Sequence, residues 1–217
     1  MSYSRDDVFK AIDVADEKRL TEILTSDSSL ASSQSDDGLS AVLFTLYLRQ
    51  PQLTDIILAH DPKLGLFDLV ALGRIDLLDL LLKDRRVDMN IFSGDGFSPL
   101  HLAAFFNQFE VVHLLIKHGA DVNIESPNGS NLRPLHSAVT TGNKDITEIL
   151  LAGGADPNVC QAGGYTPLMA AVSLDFPKIV DLLLANDADM SLMSDDGRRA
   201  IDFARSAGLD HMTKRLS

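Results

Sequence analysis

The sequence predicts an all-α repeat solenoid built from helix–turn–helix pairs. Three observations carry that expectation. Pro99, Pro134 and Pro167 recur, with Ala200 in the same place of the following unit, at spacings of 35, 33 and 33 residues. Similar words surround them: Ser98-Pro99-Leu100-His101, Arg133-Pro134-Leu135-His136 and Thr166-Pro167-Leu168. Gly-Ala-Asp returns at 119–121 and 154–156, with Ala188-Asp189 in the next unit. A fixed period of 20–50 residues is the signature of stacked repeat architectures.

The best-defined unit, residues 95–123, shows why each part should form. Pro99 has its φ fixed and no N–H to leave unpaired, which suits the first turn of a helix. Ser98, like Thr166 later, can cap that helix. Leu100, Ala103 and Ala104 follow at helical spacing, and the small alanines permit close helix approach. Asn107, Gly142 and Gly208 sit where the first helices must stop, and these residues tolerate a left-handed backbone. Val111, Val112, Leu114, Leu115 and Ile116 form the apolar stripe of a second helix, which Gly119 ends. The following Asp-Val-Asn is expected to enter an extended turn or β-hairpin finger.

The outer units are more degenerate. Residues 66–82 align without a gap on 100–116, with Gly73 on Asn107. Residues 37–42 match 95–100, with Ile56, Ile57 and Leu58 in the second helix, and the first unit runs from Val8 to Leu24. Only about 24 residues separate the second and third units, so the finger near 61–65 should be lost. The count is seven helix pairs in one domain spanning 1–217, with units near 4–36, 37–63, 64–92, 93–125, 126–160, 161–193 and 194–217. Terminal units should be polar caps, because each repeat buries its apolar faces only against neighbours.

On these words and this period the chain resembles the ankyrin repeat family, whose repeat is 33 residues. The resemblance covers nearly the whole chain and is motif-specific from about 95 to 204. It implies a structural role for His101 and His136, which bond the turn and the neighbouring unit. It also implies that partners are held at finger tips and on the exposed side of the first helices. The framework positions are Pro99, His101, Gly119, Pro134, His136, Gly142 and Pro167.

Composition narrows the function. With 31 acidic and 19 basic residues the net charge is −12, which disfavours nucleic acid and is compatible with a basic protein partner. Apolar runs are short and broken by charge, so no membrane span is expected. The start of the chain lacks a basic segment followed by an apolar core, so no secretory signal is read there. The single cysteine, Cys160, points to a reducing, cytoplasmic setting.

No catalytic, metal or cofactor residues are expected. Six histidines and one cysteine are scattered, whereas zinc needs about four convergent ligands. Asp88, Asp121, Asp156 and Asp189 recur at the repeat period, which marks turn chemistry rather than an acid–base pair.

The candidate partner-binding residues depart from the repeat framework. They are Tyr47, Phe92, Asp95, Phe97, Phe105, Phe106, Asn128, Asn131, Tyr165 and Leu174. Phe92, Phe97, Phe105 and Phe106 fall within 15 residues, and clustered exposed aromatics are the composition of interface hot spots. The competing reading packs Phe105 or Phe106 between units and lets Phe92 and Phe97 fill space left by the shortened connection. Asn128 and Asn131 lie in a polar insertion, 126–132, read either as a recognition loop or as a tolerated insertion.

The expected function is a protein–protein interaction module, an adaptor, inhibitor or regulator that binds through a concave surface and finger tips. A monomer is favoured. The alternatives are a self-associating structural protein and an enzyme or small-molecule binder with a pocket between repeats.

Overall fold

A computed structural model describes residues 3–83 and 87–217. Of the expected third unit, residues 84–86 lie outside the described residues. Two compact units are present: residues up to Leu81 with Ser93–Asp95, and Leu82–Phe92 with Gly96–Ser217.

The first unit holds α1 (Arg5–Asp13), α2 (Glu17–Ser26), α3 (Ala41–Tyr47), α4 (Pro51–Leu58), α5 (Leu66–Ala71) and most of α6 (Ile75–Leu82). A 3-10 turn at Ser28–Ser32, which the repeat pattern does not predict, follows α2. Helix α1 packs on α2 and α3, and α4 packs on α2 and α3. Their shared core contains Val8, Ile12, Leu20, Ile23, Val42, Leu53 and Ile57, all essentially without solvent contact. Phe9 and Phe44 meet edge to face with centroids 5.3 Å apart. Residues 61–65 run with neither turn nor strand, so the shortened connection carries no finger.

The second unit holds α7 (Pro99–Phe105), α8 (Phe109–Lys117), α9 (Pro134–Thr140), α10 (Lys144–Ala152), α11 (Pro167–Ser173), α12 (Pro177–Ala185), α13 (Ala200–Ser206) and α14 (Asp210–Arg215). The first helices stack in the order α7, α9, α11, α13, and the second helices in the order α8, α10, α12. Pro99, Pro134 and Pro167 each open their helix, as their fixed φ and missing N–H favour. Ala103, Ala104, Ala138 and Ala171 are fully buried between the stacked helices. An all-helical repeat fold is therefore what the chain adopts.

The turn within each pair is set by one left-handed residue. These are Ala15, Arg49, Gly73, Asn107, Gly142, Asp175 and Gly208, with φ between 53° and 72°. Gly119 and Gly154 close α8 and α10 with φ of 89° and 90°.

The fingers are hydrogen-bonded turns. Among the described residues no strand forms, and the only ladder fragment is the isolated bridge Gln34–Ser40. Ser126 N–H donates to Leu132 O at 2.8 Å, Gln161 N–H to Tyr165 O at 3.0 Å and Ser194 N–H to Arg198 O at 2.9 Å. One such bond per finger is too little to make a ladder.

Candidate functional site

Histidines hold the second unit together. His101 occupies the third position of α7, where its Nδ1 faces the backbone N–H of Ser98 at 3.3 Å and the Ser98 hydroxyl at 2.8 Å. Its Nε2 donates to Leu132 O at 2.9 Å, reaching the next finger. His136 repeats the cap by accepting from Arg133 N–H at 3.1 Å. Its Nε2 faces the backbone of Val159 and Tyr165 without a well-formed hydrogen bond. Burial pushes both imidazoles down to about 4, so they are neutral at pH 7.

Asparagines add a second set of links. Asp88, Asp121, Asp156 and Asp189 each accept the N–H two residues on, from Asn90, Asn123, Asn158 and Ser191. The asparagines then reach the next finger. Asn90 accepts from Asp121 N–H, Asn123 from Asp156 N–H and Asn158 from Asp189 N–H, at 2.7–2.9 Å. Asn123 and Asn158 also donate to Gly154 O and Asp187 O, at 2.9 and 3.0 Å. The periodic carboxylates are therefore turn formers that align the fingers.

On this frame the candidate contact residues separate into distinct settings. Phe105 is the last residue of α7 and 38% exposed, and it meets Phe106 edge to face at 5.1 Å. Phe106 is half-buried at the C-cap of α7. Leu174 holds the same C-cap position on α11 and is 45% exposed. Helix α9 lies between them and ends in Thr140 and Thr141. The C-terminal ends of three stacked helices thus present Phe105 and Phe106, two threonines, and Leu174. Phe92 is 38% exposed on the segment before the fourth pair.

Other candidates are tied into the fold. Phe97 is half-buried and tilted against His101 at 5.7 Å. Tyr47 is half-buried and donates to Asp95 Oδ2 at 2.7 Å, while Ser93 donates to Asp95 Oδ1. Tyr165 lies against Phe203 at 5.7 Å, and the Arg198 guanidinium sits 4.2 Å from the Phe203 ring centroid. The repeat framework does not predict that cluster. Its sequence signal is Phe203 itself, an aromatic at the position where the three preceding units have Leu102, Ser137 and Ala170.

The polar insertion is braced on both sides. Ser126 Oγ donates to Gly96 O at 2.6 Å, and Ser130 O accepts from Ala162 N–H at 2.8 Å. Asn128 is exposed and its Oδ1 accepts from Ser130 N–H at 3.0 Å. A Cβ on Gly96 would come within 2.8 Å of the Asn128 Cβ. Asn131 is exposed with φ of 54°. The insertion thus spans the fingers on either side of it as an ordered bridge.

Among the described residues no helix is long and apolar enough to cross a membrane. Cys160 is exposed.

The repeat geometry has counterparts in known proteins. A family model described as ankyrin repeats in three copies matches residues 32–126, 66–160 and 125–194. A putative ankyrin repeat protein of Rickettsia felis is 26% identical over 132 residues, which are 56% of this chain and 43% of that protein. Ankyrin repeat domain-containing protein 49 of Bos taurus is 35% identical over 72 residues, 33% of this chain and 30% of that protein. Delta-latroinsectotoxin-Lt1a of Latrodectus tredecimguttatus is 47% identical over 49 residues, 23% of this chain and 4% of that protein. The chain spans less than half the length of these curated relatives. With the repeat matches reaching from residue 32 to 194, and with the stacked helix pairs that they imply, the chain belongs to the ankyrin repeat family.

Proposed function

We propose that the protein is an interaction module that holds a protein partner against the first-helix ends and finger turns of its second unit. The observation that carries this reading is the exposure of Phe105 and Leu174 on a rigid frame. Both occupy ends of stacked helices whose fingers are linked by histidine and asparagine hydrogen bonds. Large apolar side chains held rigidly in the open lose little entropy on binding and are the composition of hot spots. Ankyrin repeats are in general protein-interaction modules, which fits this use of the surface. A net charge of −12 favours a partner with a basic face, and the chain would act as an adaptor, inhibitor or regulator. The exposed Cys160 fits a reducing, cytoplasmic setting.

The test is affinity capture from the native host, followed by titration of the partner against Phe105→Ser with Leu174→Ser. Loss of at least about tenfold in affinity, in a double variant that is still folded at the assay temperature, is expected. Unchanged affinity in the folded double variant would contradict the proposal.

A further inference from the structure

Asp68 is the outlier among the described carboxylates. It stands at the third position of α5 and is only 5% exposed. Its Oδ2 accepts from Gly65 N–H at 2.9 Å, and its Oδ1 accepts from the Ser40 hydroxyl. Asp7 and Asp202 make the same cap at the third position of α1 and α13, but both are more exposed than Asp68. In α7 and α9 the position is filled by a histidine that burial keeps neutral. Capping alone therefore does not require a buried carboxylate here. Burial raises the Asp68 carboxyl above its usual range, against the opposing effect of the Ser40 and Gly65 bonds. No basic side chain among the described residues pairs with it.

The carboxylate lines a cavity of roughly 130 Å³ inside the first unit. Pro62, Lys63 and Gly65 of the short connection before α5 form part of its wall. Its wall includes Ser32, Ser40, Ser93 and Gln34, with Phe67 as an apolar side and Lys63 among the lining residues. A carboxylate offers about four lone-pair positions, and two on Asp68 are used. The remaining acceptor capacity, the hydroxyls and the negative charge suit a single cationic group.

We propose that this cavity is a receptor site for one guanidinium or alkylammonium head, with Asp68 as its counter-ion. A planar guanidinium can donate to Asp68 and to neighbouring oxygens together, while Phe67 covers its stem. A buried charge that gains a partner recovers much of its desolvation cost. The site needs no partner protein in order to exist. Its natural occupant rests on the interaction-module reading, under which the head is an arginine or lysine side chain of the partner.

The experiment follows amide resonances of the whole protein at constant ionic strength while ethylguanidinium chloride is added. Neutral ethylurea is the control. Saturable shifts centred on Ser40, Gly65 and Asp68, absent with ethylurea and at least tenfold weaker in Asp68→Asn, are expected. Lys63→Ala, which removes a neighbouring cation, should leave binding unchanged or stronger. Equal shifts with ethylurea, or no saturable shift in the wild type, overturn the site whatever the fate of the variant. A capped Gly-Arg-Gly peptide tests the source. Tighter binding than ethylguanidinium assigns the head to a peptide side chain. Binding of ethylguanidinium with no binding of the peptide keeps the site and contradicts the partner-side-chain assignment alone.

Discussion

The Tyr47 hydroxyl donates to Asp95 Oδ2 at 2.7 Å, joining residues 48 positions apart in the chain. The bond ties the end of α3 to the segment that precedes the fourth helix pair. Burial, and then Asp95, hold the phenol far above its ordinary value of 10.0. Tyr47→Phe should cost about 1 kcal/mol, read as a lower denaturant midpoint at pH 7. The sign with pH follows from the shift. A phenol that ionises more readily when unfolded contributes stability below pH 10 and loses it above. The gap between wild type and Tyr47→Phe should therefore shrink as pH rises past 10.

His101 and His136 predict sensitivity to acid. Both titrate near 4 when folded and nearer 6.5 when unfolded, so their contribution is complete above 6.5 and lost as pH falls towards 4. Proton NMR should show two imidazoles still neutral at pH 5. Urea midpoints should fall steeply between pH 6.5 and 4, and less steeply in His136→Asn. A pH-independent midpoint across that window would contradict the assignment.

Left-handed turns make opposite predictions at different repeats. Arg49 and Ala15 hold φ of 54° and 53° with a Cβ present, a conformation that costs an ordinary residue about 1 kcal/mol. Arg49→Gly and Ala15→Gly should each raise the thermal midpoint. Gly142→Ala should lower it by more, since its Cβ would lie within 2.8 Å of the Phe176 ring.

The asparagine links predict coupling between fingers. Asn123→Ala removes an acceptor for Asp156 N–H and a donor to Gly154 O. A loss of about 2 kcal/mol is expected, with faster amide exchange at Asp156 as the local signature. Unchanged exchange at Asp156 would show that the links do not order the finger.

How far the sequence could be read depends on where chemistry is local. Proline at the first position, Ser98 or Thr166 before it, and Asn107 or Gly142 at the turn make α7 to α12 legible, because each acts on its own backbone. The third pair was less exact. Gly73 and α6 keep the 34-residue offset to Asn107 and α8, but α5 starts at Leu66 where α7 starts at Pro99. A helix one residue shorter puts Asp68, rather than Phe67, in the capping role of His101. No pattern of types reveals that slip, because apolar residues flank Asp68 on both sides.

The candidate surface was legible in part. The spacing that placed Phe105 and Leu174 at helix ends is a property of the repeat, and both are exposed. Phe97 and Tyr165 share the aromatic character but lie against His101 and Phe203, neighbours 4 and 38 residues away in the sequence. The Tyr165–Phe203 contact reaches into the next repeat, so nothing beside Tyr165 in the sequence signals it. The cavity at Asp68 is walled in part by the connection at 62–65, which the sequence signals only as a short gap between units.

The most direct test of the binding account places a photo-reactive benzoylphenylalanine at Phe105 in one protein and at Lys117, the last residue of α8, in another. The folded proteins are irradiated in native-host lysate. The account predicts one partner band cross-linked from position 105 and not from 117, competed away by unlabelled protein. Cross-linking from 117 alone would contradict it.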